Sequence, residues 1–589
     1  MAINTLPDLL RRRMASDATR TIMRRKDRGI WKSMSWGEFG TSVRSLARAI
    51  QADGFGRGIT GVILANNHPE WLQADLALQS AGAVSAGVSP SAGVDEITAQ
   101  LRESGAGLVF VENEEQLDKV LEARAACPAL CRIVIFDMKG LRGLEDSMCT
   151  SFEDYARRGA DAADTCDATI DALDPDSPAA LVYTDDGAAR LSHRNLAATI
   201  EAAARLFAPN AADERLAVMP LPHVSERVLG AYLSLHTGCI SNFGESVGTL
   251  EENLREVKPT LLVGAPALWK QFHDRIVLAG GAATSVQRVI FRVAFASGAK
   301  VGERRAIGRR PRPWNAAAAG LARPVLANVR RELGLSRLRL GLIAGGTTAP
   351  DMVRWFMALG IDPVEVYGPA ESGGLAAAPT PGAIRPGDVG HPIAPDLLRV
   401  TLDGEIELNS AAQLQPAPQS DGVWRRTGDA GVMTDGRLTV LGRAADTITL
   451  RDGSAVHPGP IERALCLSPY IADALVVGDG LLCCLLLLEG DAVEGWAHAN
   501  GVPFSSFAEL ANAAPLRALL LTEIDRVNKG AARAAQIRAF RAIDRRLQQG
   551  DPELTSLGNL RRAPVVTAFR ALITAMSDEV TRSAPQQRC

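Results

Sequence analysis

The stretch "VYGPAESGG", residues 366–374, is the first place where residue types and spacing suit chemistry. An apolar run ends at Tyr367 and Gly368, and Glu371 follows in a loop. A tyrosine at a strand end can stack on a planar base, and a carboxylate a few residues on can hold Mg²⁺ beside phosphates. A plain strand-to-loop turn has the same letters. A second group lies in "WRRTGDAGVMTDGRLTVLGRAADTITL", residues 424–450. Asp429, between Gly428 and a turn, is placed like an acceptor for ribose hydroxyls. Arg443 closes a strand and can donate to the same sugar, and Asp446 begins a change of composition. Two hairpins with exposed charges would read the same way. A third stretch, "LVYTDDGAARLSHRN" at 181–195, reads as a strand, a loop and a Ser-capped helix. Such junctions often hold phosphates on a Gly-rich loop with a Lys, but this one has one Gly, two carboxylates and no Lys. No GxGxxG after a strand, GxxxxGK[ST], HExxH or GxSxG occurs. Cys127 and Cys131 have no second Cys/His pair nearby and read as ordinary thiols.

The elements that must position these residues follow from periodicity. "SWGEFGTSVRSLARAIQADG" and "EWLQADLALQSAGA" are helical, while "TGVILANN", "GLVFVEN" and "RIVIFD" are strands. Their alternation predicts a largely parallel sheet covered by helices. Residues 158–178, acidic and rich in small side chains, read as a linker or surface loop. The pattern resumes at "AALVYT" and continues through "TLLVGAP", "RLGLIAGG" and "PVEVYG". From Gly387 to Val440 it changes to short strands and turns, predicting a small antiparallel barrel or sheet. The last part carries strands and helices, as in a separate α+β domain.

With 589 residues the chain is too long for one core. Charged residues make up 22% and the formal charge is −3, which gives no whole-molecule drive toward nucleic acid. The apolar run Leu481 to Leu488 is far short of a membrane span and reads as a buried strand. The first residues lack the apolar core of a secretory signal, and nine scattered cysteines argue against a disulfide framework. A cytoplasmic protein is the expectation. Residues 303–313, "ERRAIGRRPRP", hold five Arg: a solvated insertion, or a patch at 304–312 touching the inner membrane face from outside the bilayer.

Together the motifs resemble the adenylate-forming (AMP-binding) enzymes, and within them the bacterial long-chain acyl-CoA synthetases. "NHPEWLQADLALQSAGAVSAGVSP", "MPLPHVSER", "AGGTTAP", "YGPAE", "RTGD", "GRAADTI" and "ELTSLGNLRR" match in order along nearly the whole chain. The resemblance implies an α/β fold: a large N-terminal domain, 1–442, of layered sheets with a small β-barrel at about 385–442. A hinge at 443–447 and a small mobile α+β domain at 448–589 follow. It implies ATP/AMP with Mg²⁺, CoA as co-substrate, and a fatty acid or other apolar carboxylate or acyl thioester, with no nucleic acid. On matching positions Tyr367 and Gly368 would take adenine, Asp429 and Arg443 the ribose, Thr184 and Gly346 further parts of the nucleotide, and Glu371 the Mg²⁺. His223 would lie beside the acyl pocket, and Asp446 would be the hinge.

Two departures are severe. The family's YTSGTTGxPKG phosphate loop is cut to "DDGAAR", five residues shorter between "YT" and "LSH". Asp185 and Asp186 stand where neutral or positive donors belong, and a carboxylate near 4 Å from a phosphate charge costs roughly 4 kcal/mol at an effective dielectric of 20. The family's C-terminal Lys, in ELTPTxKxRR, aligns with Asn559; losing one such donor typically costs about 10²- to 10³-fold in rate. Ser89, Ala267 and Ala445 replace residues common in relatives, and the loop in 409–424 is short. Three readings follow: a degenerate synthetase-like protein that keeps binding pockets but adenylates poorly; an active acid–CoA ligase with a rebuilt phosphate site; or acyl transfer from a preformed acyl adenylate or thioester.

Overall fold

The computed structural model describes residues 3–583 except 185, 186, 410–423, 479, 549 and 556. Two seven-stranded sheets dominate. In the first, Thr60–Leu64 lies centrally between Leu108–Val111 and Val84–Val88, all parallel. In the second, Leu261–Gly264, Leu340–Ile343 and Pro363–Glu365 run parallel in that order. Both strand sets are short and apolar, as expected for parallel sheets buried on two faces.

Alternation along the strands builds the layers. Ile63 and Phe110 enter the core shared by both sheets, whereas Val62, Leu64 and Val109 face a second core beneath Val94–Ser104 and Glu114–Ala123. Leu342 joins the shared core and Ile343 faces a third, under Pro266–Ala282 and Pro350–Ala358. Helix Pro69–Ser80 lies between the sheets and is buried on every residue but Glu70. All-round burial suits a helix with almost no amphipathic contrast.

Strands Leu398–Val400, Glu405–Asn409, Trp424–Thr434 and Arg437–Arg443 form a four-stranded antiparallel sheet whose core includes Tyr367, Ile406 and Leu438. Beyond it, Ile471–Val477, Leu482–Leu488 and Ile537–Ala542 form a three-stranded sheet with cores on both faces. Leu482–Leu488 is buried throughout, Cys483 and Cys484 included, as its apolar run predicts.

Two expectations change. The segment 158–178 is not a loop: Phe152–Asp161 runs into it and Cys166–Asp171 forms a further short helix. Its acidic residues are held by distant cations, Asp164 and Asp167 by Arg44, and Asp171 by Arg11. Cys166 and Ile170 are buried beneath them. The second change concerns 187–192, which form a strand rather than a loop. It pairs antiparallel with Pro178–Thr184, and the register reaches Thr184 opposite Gly187. Asp185 and Asp186 lie outside the described residues. The helix His193–Phe207 follows with Ser192 as N-cap, its side chain accepting from the Asn195 N–H in a capping box.

Candidate functional site

A cleft of about 1040 Å³ opens between the two main sheets' strand ends, the four-stranded sheet and the C-terminal part. Thr184, His223, Gly346, Tyr367, Gly368, Glu371, Asp429, Arg443, Asp446 and Asn559 all line it. The structure therefore brings every sequence-selected site residue to one place.

Tyr367, Asp429 and Arg443 form a bonded group. The strands Trp424–Thr434 and Arg437–Arg443 place Asp429 directly across from Arg443. The Tyr367 hydroxyl donates to Asp429 Oδ2 at 2.9 Å, and Arg443 donates to Asp429 Oδ1 at 3.0 Å. Tyr367 is 8% exposed, and burial beside Asp429 holds its phenol well above the usual range. Asp429 is a short acceptor at the cleft wall, held by both partners at once.

Glycines shape the approach. A Cβ on Gly368 would lie 2.2 Å from the Leu375 backbone nitrogen, so only glycine fits between Tyr367 and the returning chain. On Gly345, where φ is +76°, a Cβ would meet His223 Nε2 at 3.0 Å. Thr348 then anchors this loop: its N–H donates to Glu365 Oε1 at 2.7 Å. Burial raises the Glu365 carboxyl to about 7. His223 is half-buried at the cleft wall, and desolvation holds it down to about 4, so it is neutral at physiological pH. Behind it, Glu226–Tyr232 forms a π-type turn fixed by two buried ion pairs, Arg215–Glu226 and Arg227–Asp75.

Asn559 sits in a turn of the C-terminal part. The Thr555 N–H donates to its carbonyl at 2.8 Å, and its own N–H donates to Thr555 Oγ1 at 3.1 Å. Leu557 of the same turn lies against Gly345, next to His223. Asn559 thus occupies the cleft with no ammonium to offer. Asp446, in the turn Ala444–Asp446, forms an ion pair with Arg562, its Oδ2 lying 3.0 Å from Nε.

The cleft's other cations escaped sequence reasoning. Lys270 stands one helical turn beyond Ala267, on the same face. It is committed to Asp274 and, at 3.1 Å, to the Ser468 carbonyl. Arg562 is bonded to Glu462 at 2.6 Å as well as to Asp446, and Arg463 donates to the Val440 carbonyl at 3.1 Å. The Lys/Arg side chains lining the cleft, Lys270, Arg443, Arg463 and Arg562 among them, are therefore already engaged. An adjoining lobe of about 760 Å³ starts at Thr184 and is lined by Ser89, Asp95, Glu96 and Asp551 together with Arg443 and Arg561. The Thr184 hydroxyl donates to the Gly187 carbonyl at 3.0 Å and has no proton left for a phosphate. Among the described residues no group of three or more metal-ligating side chains occurs. A Mg²⁺ at Glu371 would need most of its oxygens from phosphates and water.

Residues 10–408 match the family described as AMP-binding enzyme, and 445–581 the AMP-binding enzyme C-terminal domain. A long-chain-fatty-acid–CoA ligase of Mycobacterium bovis, FadD15, is 26% identical over 581 residues, 95% of each chain. The long-chain-fatty-acid–CoA ligase ACSBG2 of Gallus gallus is 26% identical, covering 89% of this chain and 75% of its own. The A domain of the carboxylic acid reductase from Segniliparus rugosus, solved with AMP and a co-purified carboxylic acid, superposes with a TM-score of 0.75. It is 16% identical and covers 98% of this chain and 94% of its own.

Proposed function

Because the chain belongs to the AMP-binding enzyme family, we propose that it binds the adenosine half of a nucleotide together with a fatty acid or its acyl thioester, and activates that carboxylate with ATP only poorly. The observation that carries this is a contrast on one cleft. The ribose-binding group Tyr367–Asp429–Arg443 is assembled, while the strand pair beside it closes at Thr184 and Gly187.

Adenylation requires a carboxylate to attack the α-phosphate while pyrophosphate leaves. That step needs donors poised at the β- and γ-phosphates and a cation between the α-phosphate and the attacking oxygen. Here the lobe beyond Thr184 presents three carboxylates, Asp95, Glu96 and Asp551, against two arginines, Arg443 and Arg561. Recruiting the cleft's engaged cations to a triphosphate would break their existing ion pairs or hydrogen bonds. Tyr367 and Gly368 take the base, Asp429 and Arg443 the ribose, and Gly346 the backbone side of the nucleotide. Glu371 is the Mg²⁺ contact if ATP is bound, and neutral His223 faces the acyl group. The division at 443–447, with Asp446 as the pivot held by Arg562, belongs to the same proposal. The fatty acid follows from the relatives, which are long-chain-fatty-acid–CoA ligases by name.

Pyrophosphate exchange into ATP, with a panel of saturated fatty acids, tests the impairment. The expected rate is at least about 10²-fold below that of a relative with an intact loop and Lys. Exchange within about tenfold of such a relative would overturn it. Asn559 bears on adenylation rather than on the thiol step, so thiolysis of a preformed acyl adenylate is a second reading. Release of AMP from synthetic acyl-AMP on adding CoA would support it.

A further inference from the structure

Helices Ser285–Ala306 and Pro313–Glu332 form a hairpin on the outer face of Pro350–Ala358. Residues 285–332 carry eleven Lys and Arg against two Glu, within a chain of net charge −3. The hairpin's inner side is a stripe of small residues, Ala294, Gly298 and Gly302. A Cβ on Gly298 would lie 2.1 Å from the Ala358 carbonyl oxygen, so this face is fully used.

The outer side is apolar and unpartnered. Val286, Val289, Ile290 and Val293 share one helical face and are 49% to 68% exposed. Trp314 and Leu321, on the second helix, are 64% and 86% exposed. Arg312 lies over the Trp314 ring, 5.5 Å from its centroid. Within the Arg-rich tip, the roles divide. Arg305 is an internal anchor, bonded to Asp362, and Arg304 holds the Arg310 carbonyl. Among the described residues, the Arg292, Arg309, Arg310 and Arg323 guanidiniums have neither a hydrogen bond nor an ion pair.

One hairpin that carries an apolar stripe beside Arg292, and at its tip the unpaired Arg309 and Arg310 with an exposed Trp314, matches the boundary between lipid headgroups and acyl chains. Duplex nucleic acid would satisfy the arginines but leave the Val and Ile stripe in water. We infer that this hairpin docks the protein on an anionic lipid bilayer. Its valines and isoleucines enter the acyl boundary, and its free arginines meet lipid phosphates. Pro350–Ala358 links the two sites: Ala349 and Met352 line the cleft, while Met357 and Ala358 carry the hairpin. This surface stands independently of whether the cleft adenylates.

The test is co-sedimentation of the full chain with vesicles of phosphatidylcholine alone and mixed with phosphatidylglycerol, at low and high salt, with duplex DNA as a comparison. The chain is expected to bind the mixed vesicles, less so at high salt, and phosphatidylcholine weakly. The pair Arg309→Glu with Arg310→Glu should lower partitioning at least about 25-fold, about fivefold per lost arginine. The pair Val289→Glu with Val293→Glu should also lower it, by about tenfold or more. All four positions are exposed, and unchanged thermal melts will show that the variants fold. No binding to mixed vesicles, equal binding by wild type and both pairs, or binding to DNA alone would overturn the inference.

Discussion

At the scale of single residues, Asp429 concentrates the function. It accepts from Tyr367 and Arg443 at once, so its charge is fixed and its oxygens are presented without a further search of rotamers. Asp429→Asn keeps the shape but loses the charge-assisted bonds and leaves Arg443 facing an amide. AMP binding should weaken by about 1.5–3 kcal/mol, roughly ten- to a hundredfold. Calorimetric titration of the variant with AMP checks this, and an unchanged affinity would remove Asp429 from the site. Asn559 is the converse case. It lines the cleft where the family resemblance leads one to expect a lysine, and its own backbone is held in its turn by bonds to Thr555. The turn persists without the ammonium that would give it chemistry in adenylation.

At the scale of elements, Glu365 couples a strand to the cleft loop. Burial lifts its carboxyl to about 7, from an ordinary value near 4.5. A carboxyl whose folded-state pKa is raised stabilises the fold fully below the unfolded value and loses that contribution as pH rises through the folded one. Stability should therefore fall between about pH 4.5 and pH 7 by up to about 3 kcal/mol from this group. Glu365→Gln retains an acceptor for Thr348 and removes the titration. Urea unfolding of both proteins at pH 5 and pH 8 should show the pH loss shrinking in the variant, and parallel profiles would contradict it. The sequence makes the apolar strands legible, because Ile63, Val109 and Leu342 belong to runs that only a buried sheet accommodates. It also shows Tyr367, Asp429 and Arg443, because each sits at a recognisable strand end or hairpin. The strand Gly187–Ser192 is less visible: it is short, and only Ala189, Leu191 and Ser192 of it are buried. The helix Cys166–Asp171 is hidden by its charges, since the arginines that neutralise them lie more than a hundred residues earlier. Lys270 and Glu365 escape for the same reason, as their roles depend on partners brought up by the fold.

At the scale of the whole molecule, the chain retains the family's layered sheets, its four-stranded antiparallel sheet and a C-terminal part that reaches into the cleft. Charge is unevenly distributed across that cleft. One side holds the bonded group Tyr367–Asp429–Arg443, whereas the lobe beyond Thr184 has Asp95, Glu96 and Asp551 as well as Arg443 and Arg561, beside a closed strand pair. On the other side of Pro350–Ala358, the arginine-rich hairpin gathers positive charge onto one exposed surface of a molecule that is otherwise acidic. On the proposed function, binding of the nucleotide and activation by it are separable, and the measurement that separates them most directly is paired calorimetry with AMP and with ATP in excess Mg²⁺. The account predicts that AMP binds and that ATP binds no tighter, its β- and γ-phosphates adding nothing. ATP·Mg binding more than about tenfold tighter than AMP, a gain of about 1.4 kcal/mol, would show a working phosphate site and contradict it.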